Sequence, residues 1–309
     1  MELRVLQYFL AVTREQSISG AAQSLHLSQP TLSRQLKDME DELGKQLIIR
    51  GNRKITLTEE GMILRKRAEE IMELVQKTEH EITVSDDIIS GDVYIGAGET
   101  DAVRLLAKAG KELQLKYPAI HYHISSGDST DVLERLDNGL IDFGLLFGPV
   151  DTSKYEYLEF PIRDVYGILM RKDSYLAEKD SICPEDLYNK PLIFNRNTRD
   201  GDLLTTWLGK SLSELNVAAT YNLLFNASLM VEEGLGYAFA LDKIINTTGV
   251  SNLRFIPCEP PMSIGMNLIW KKYQVFPKAA KKFLEEFHAL SDEVRLSRRD
   301  MNRGMPGWV

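Results

Sequence analysis

The stretch Ser28–Gly44, SQPTLSRQLKDMEDELG, constrains this chain more than any other. Ser28 is a good helix N-cap, and Pro30 falls in the first turn, where a missing N–H costs nothing. Leu32, Leu36, Met39 and Leu43 recur at spacings of four, three and four, so they share one helical face. Gly44 supplies the stop. The other face carries Gln29, Thr31, Ser33, Arg34, Gln35 and Lys37, with no acid before Asp38. Such a helix is polar on one side and donor-rich at its start. It is equipped to meet base edges and phosphates in a major groove. Taken alone, it equally fits an amphipathic surface helix.

The chain has 309 residues, enough for two domains with a sizeable core. Its net charge of −8 argues against a protein that simply coats nucleic acid, so any positive footprint must be local. Cys183 and Cys258 sit in no metal or redox spacing, and a reduced cytoplasm is the natural home. The start, MELRVLQYFL, lacks the basic region and cleavage site of a signal peptide, and no apolar run is long enough to span a membrane.

The flanks of the opening stretch decide between its two readings. Leu3, Leu6, Phe9, Leu10 and Val12 fit a short amphipathic helix. Ser19 can cap a second helix, Gly20 to Leu25, in which Ala21 and Ala22 allow a close crossing. His26 and Leu27 then turn into the Ser28 cap, which reads as a helix-turn-helix. After Gly44 the period changes. Leu47–Arg50 and Lys54–Leu57 read as two short strands around Gly51-Asn52, a basic hairpin carrying Arg50, Arg53 and Lys54. Beside a helix-turn-helix, that hairpin is a wing suited to the minor groove or backbone.

Residues 1 to about 65 resemble the winged helix-turn-helix of the LysR-type transcriptional regulators. Phe9, Ala21-Ala22, Leu25, the run Ser28–Ser33, Leu36, Glu40, Leu43, Gly44, Arg50, Thr56–Thr58 and Gly61 carry the likeness without a gap. By position, the resemblance implies base or groove contacts from Gln29, Pro30, Arg34 and Arg53. It implies phosphate contacts from Ser28, Thr31, Ser33, Lys37 and Arg50, while Lys54 adds charge to the wing.

Thr58 caps a third long helix, with Glu59 and Glu60 complementing its dipole. Leu64, Ala68, Ile71, Val75, Thr78 and Ile82 form a heptad seam, expected to be too narrow for a globular core and suited to pairing with its own copy. A helix-turn-helix needs such pairing to reach successive major grooves. The resembled family likewise dimerises through a linker helix.

Ser85-Asp86-Asp87 and Ser90-Gly91 make a polar break. Beyond it a βαβαβ run is expected: Asp92–Ala97, Ala102–Tyr117, Ile120–Ser125, Ser129–Asn138 and Ile141–Phe147. A second α/β series follows: Tyr166–Met170, Leu192–Asn195, Leu203–Leu212, Ala218–Leu224, Ala227–Glu233 and Tyr237–Leu241. Met266–Lys271 and the helix Lys278–Glu293 would return to the first lobe. The order is similar to the family's effector-binding domain. Val231–Leu241 matches its glycine-rich turn, though Asp242 stands where a proline is common.

The fold expected is therefore α/β overall: a winged helix-turn-helix (1–58), a linker and dimerisation helix with hinge (59–90), and a two-lobed α/β effector-binding domain (91–295, second lobe about 164–261). A basic, flexible tail would follow (296–309). An effector would sit just past the strand ends, at helix starts with free N–H groups. The candidates are Gly98, Glu99, Thr100, Asp128, Ser129, Thr130, Phe147, Asn195, Arg196, Asn197, Phe225 and Asn226. Glu99 and Asp128 bring negative charge, which points to a neutral or amine-bearing effector.

Other signals carry less. Gly96-Ala97-Gly98 has Asp101 where a dinucleotide loop needs its third glycine. His121 and His123 share a strand face without a third metal ligand, and no triad arrangement appears. No cofactor, metal or catalytic residue is expected. The reading is a cytoplasmic regulator of double-stranded DNA that answers to a small molecule. The resemblance adds a homodimer or a dimer of dimers on interrupted palindromes and admits RNA polymerase as a partner. The alternative is an α/β small-molecule-binding protein or enzyme with an accessory DNA-binding domain.

Overall fold

The computed structural model describes residues 1–51, 54–83 and 89–303, with side chains as far as 297. Asn52 and Arg53 of the wing, the break at Ser85–Asp87 and the tail from 304 lie outside those residues. The chain divides into two compact units, Met1–Val84 and Ser85–Val309.

In the first unit, helices α1 (Leu3–Glu15), α2 (Ile18–Ser24) and α3 (Gln29–Leu43) precede a hairpin of β1 (Ile48–Arg50) and β2 (Ile55–Leu57), and α4 (Glu59–Thr83) follows. Phe9, Val12, Ala21, Ala22, Leu32, Leu36, Met39, Leu47, Ile48 and Ala68 form one buried cluster. Gly44 ends α3 in the left-handed region, at φ 64°. His26 takes the turn between α2 and α3 at φ 55°. The cap of α2 is Ser17, not Ser19: its hydroxyl accepts from the Gly20 amide, and the helix starts one residue later. Leu43 is exposed, because α3 has left the core by its last turn.

The seam on α4 divides. Ala68 is fully buried, and Leu64 and Ile71 pack on the same cluster as Phe9, so the first half serves its own subunit. The expectation that this seam is too narrow for a core fails there, because alanine at position 68 contributes almost no bulk against the neighbouring elements. Val75 is half-buried, while Leu74, Thr78 and Ile82 are exposed, Ile82 at 77%.

The second unit is built from β3 (Gly91–Ala97), α5 (Val103–Lys116), β4 (Ile120–Ser126), α6 (Ser129–Asp137), β5 (Phe143–Phe147), β6 (Tyr155–Arg171), β7 (Leu192–Asn195), α7 (Leu203–Leu208), β8 (Val217–Tyr221), α8 (Leu224–Glu232), β9 (Tyr237–Leu241), β10 (Leu253–Pro257), β11 (Ser263–Lys271) and α9 (Lys278–Arg303). The strands bond in the order β4-β3-β5-β11-β6-β9-β7-β8, with β10 beside β6. Strand β3 runs parallel to β4 and β5, and β7 runs parallel to β8 and β9.

Two lobes share the long β6. Tyr155–Val165 pairs with β11, whereas Tyr166–Leu169 pairs with β9. The chain therefore crosses between lobes at Val165–Tyr166 and returns at Ser263. Strand β11 rejoins β5, and α9 brings Phe283, Phe287 and Leu290 into the first lobe's core. The second lobe packs around Ile168, Phe194 and Phe239, with Leu224, Ala227 and Val231 in a further cluster.

In the second unit, several elements depart from the sequence expectation; α7, expected to reach Leu212, stops at Leu208 because Gly209 caps it in the left-handed region at φ 64°. The first half of β6 was not anticipated, because Pro161 argues against a strand. It sits where the register slips between Arg163↔Gly265 and Glu159↔Asn267, a bulge that spares a ladder donor. Strand β10 was likewise not read. Helix α9 continues to Arg303, through residues assigned to a flexible tail, since neither glycine nor proline interrupts Lys278–Arg303.

Candidate functional site

Two faces qualify, one in each unit. On the first, Ser28 caps α3 from an extended backbone and accepts the Thr31 amide at 3.2 Å. With Leu32, Leu36 and Met39 turned into the core, Ser28, Gln29, Pro30, Thr31, Arg34 and Lys37 are exposed and Ser33 is half-buried. No acid stands in the first turn. The Arg34 guanidinium reaches Asp38 at only 3.9 Å with its side chain 83% exposed, so it is available to a partner. Downstream, Glu40 turns inward and accepts the amides of Leu47 at 2.7 Å and Ile48 at 3.1 Å, fixing the start of the wing. Arg50 and Lys54 are exposed across the turn that the Gly51 amide closes onto the Lys54 carbonyl. Arg53 lies outside the described residues.

The second face is a cavity of about 410 Å³ at the carboxyl ends of the strands of both lobes. This is where open α/β sheets hold ligands. Gly98, Glu99, Asp128, Ser129, Phe147, Asn195 and Asn197 line it. The structure adds Tyr166, Thr198, Asp202, Leu204, Tyr221, Phe239 and Ile264. Tyr166, Leu204, Tyr221, Phe239 and Ile264 lie inside strands or helices, whereas the candidates were placed just past strand ends and at helix starts, and Thr198 and Asp202 fall in the long turn between β7 and α7. The aromatic residues within Tyr166–Met170, Ala218–Leu224 and Tyr237–Leu241 were the available signal.

Five candidates do not line the cavity. Thr100 is buried beside it, but its hydroxyl donates to Asp164 at 2.5 Å and accepts from the Ala102 amide, so it is already engaged. Thr130 is exposed, turned outward by the first turn of α6. Phe225 and Asn226 are exposed because α8 starts at Leu224, three residues earlier than expected, and only Leu224 points in. Arg196 is drawn to the first lobe: its Nε donates to Asp128 at 2.5 Å and its terminal nitrogen to Asp131 at 3.1 Å.

That pairing changes the electrostatics. Burial alone would raise the Asp128 carboxyl, but hydrogen bonds from Arg196 and from the Asp131 and Thr130 amides outweigh it and hold the group below its ordinary value. Asp128 is thus a helix cap and half of an inter-lobe ion pair, not a free charge. Glu99 is not free either, since its carboxylate accepts the Leu224 amide across the cleft. Burial, then Asp164 and Asp202, push the Tyr166 phenol up to about 12. The Tyr221 phenol is also raised, chiefly by burial, and donates to the Phe239 carbonyl at 2.7 Å. At the rim, the Asp242 amide donates to the Val165 carbonyl at 3.0 Å, a bond that a proline at this position could not make.

His123 bonds Asp92 at 3.0 Å and stacks on Tyr94, and no metal-holding cluster occurs among the described residues. Nor is any helix among them long and apolar enough to cross a membrane.

Residues 3–62 match the family model "Bacterial regulatory helix-turn-helix protein, lysR family", and residues 87–291, more than half of the chain, match "LysR substrate binding domain". The chain belongs to the LysR family. Among its relatives, the HTH-type transcriptional regulator BsdA of Bacillus subtilis (strain 168) is 28% identical over 296 residues, 93% of this chain and 100% of that protein. The Hca operon transcriptional activator HcaR of Escherichia coli (strain K12) is 28% identical over 299 residues, 95% of this chain and 98% of that one. A crystal structure of full-length CbnR complexed with the target DNA shares the fold: TM-score 0.72, 19% identity, covering 94% of this chain and 100% of CbnR. As a LysR-family member the protein is a DNA-binding transcriptional regulator. The family's members are regulators, so the reading as an enzyme with an accessory DNA-binding domain is not favoured.

Proposed function

We propose that this regulator acts in the cytoplasm as a dimer, or a pair of dimers, on interrupted palindromic DNA, and that a small molecule in the lobed cavity sets its state. Each subunit lays the first half of α3 in a major groove. Gln29, Pro30 and Arg34 meet base edges, and Ser28, Thr31, Ser33 and Lys37 meet phosphates. Arg50, Arg53 and Lys54 follow the flanking backbone or minor groove. The observation that carries this reading is the exposed, acid-free first half of α3, raised on a buried three-helix core. The exposed far half of α4 supplies the surface for a second copy. A ligand that prefers one lobe arrangement biases subunit geometry and hence the spacing of the DNA-binding heads. RNA polymerase is the natural further partner.

A footprint over the DNA upstream of its own gene, repeated across a salt series, tests this. A discrete protected palindrome that persists as salt rises supports the reading. Diffuse protection that vanishes with salt contradicts it.

A further inference from the structure

The cavity is walled mainly by apolar and aromatic side chains, and its charged lining residues, Glu99, Asp128 and Asp202, are all acidic. None of the lining is lysine, arginine or histidine. The Asp128 charge is answered by Arg196, and that guanidinium is in turn held between Asp128 and Asp131. Glu99 is placed differently. It follows Gly98 just past β3 in the first lobe, yet its carboxylate accepts the Leu224 amide at the start of α8 in the second. Leu223, the N-cap of that helix, offers no side-chain cap.

A helix start opening on a cleft is where a ligand's carboxylate would dock, because free N–H groups and the dipole favour an anion. Here the protein's own carboxylate fills that place and ties the lobes together in doing so. An incoming carboxylate would meet Glu99 and Asp202 with only neutral donors, such as Ser129, Asn195 and Asn197, to receive it. An ammonium group would instead supply the positive charge the lining lacks, while its apolar body lies against Phe147, Tyr166 and Phe239.

We propose that Glu99 determines the charge class of the effector: the cavity takes an apolar compound with an ammonium head and refuses a carboxylate of the same shape. This rests on the reading of the cavity as the effector site.

Calorimetric titration of the full-length protein with 2-phenylethylamine, phenylacetate and phenylacetamide tests it on the wild type, Glu99→Gln and Glu99→Ala. The wild type is expected to bind the amine at least tenfold more tightly than either other compound. Glu99→Gln keeps an acceptor for the Leu224 amide but loses the charge, and should erase most of that preference. Glu99→Ala empties the helix start and should gain phenylacetate binding. A wild-type preference for phenylacetate or the amide, or an unchanged preference in Glu99→Gln, overturns the charge assignment and leaves the cavity a ligand site. If none of the three compounds binds any of the proteins, the effector-site reading falls as well.

Discussion

At the scale of single residues, the chemistry is set less by which side chains reach the cleft than by which are already engaged. Asp128 illustrates this, and its behaviour with pH follows from its partners. Its folded-state value lies below the unfolded 3.8, so its contribution to stability is complete above that pH and is lost as pH falls through the folded value. Arg196→Met should therefore lower the urea midpoint at pH 7, and the gap from wild type should close below pH 3.8. Tryptophan emission is a suitable probe, because Trp207 and Trp270 belong to the second unit and the sequence has no tryptophan before residue 207. A gap that stays constant down to the lowest pH would contradict the assignment. None of this pairing was legible in the sequence. Arg196 and Asp128 are 68 residues apart, and only the fold brings them together. Thr100 misled for a related reason, since nothing local shows that Asp164 accepts a hydrogen bond from its hydroxyl.

Elements were legible where their signals are local. Ser28, Pro30, Gly44 and the Leu32–Leu36–Met39 face mark α3 from its own sequence, and the structure keeps the helix within those bounds. Legibility fails where a distant partner decides. Pro161 hides the first half of β6 because only the opposing bulge in β11 makes a proline tolerable there. Helix α8 starts early because its first amide finds an acceptor on the other lobe, which no capping residue announces. Close approach is equally silent in sequence. At Gly61 an added Cβ would lie 2.0 Å from the Leu47 carbonyl oxygen, so the first turn of α4 can press on the wing only as glycine. Gly61→Ala should destabilise the first unit by about 1–3 kcal/mol, as overpacking does, and weaken DNA binding. The tryptophan-reported unfolding of the second unit should not move. A normal DNA affinity in this variant would show that the contact is dispensable.

For the whole molecule, the chain is net acidic, yet its exposed cations on α3 and the wing gather where DNA would lie. In the proposed reading, local charge and global charge serve different ends: one meets phosphate, the other limits indiscriminate binding. Pairing of subunits belongs at this scale too. The near half of the α4 seam packs in its own core, so in the proposed dimer the far half carries association. Val75→Glu with Ile82→Glu should halve the mass seen by sedimentation equilibrium and abolish palindrome binding. An unchanged mass would place the interface elsewhere.

The central claim is that the first half of α3 reads sequence while the wing supplies charge. It is tested most directly by comparing the affinity for the protected site with that for scrambled DNA in Arg34→Ala and Arg50→Ala. For Arg34→Ala the ratio between the two DNAs should collapse, at a cost of about 1–3 kcal/mol of discrimination. Arg50→Ala should weaken both DNAs alike and flatten the salt dependence by about one unit. If Arg34→Ala kept the wild-type ratio, α3 would not be the element that reads the DNA.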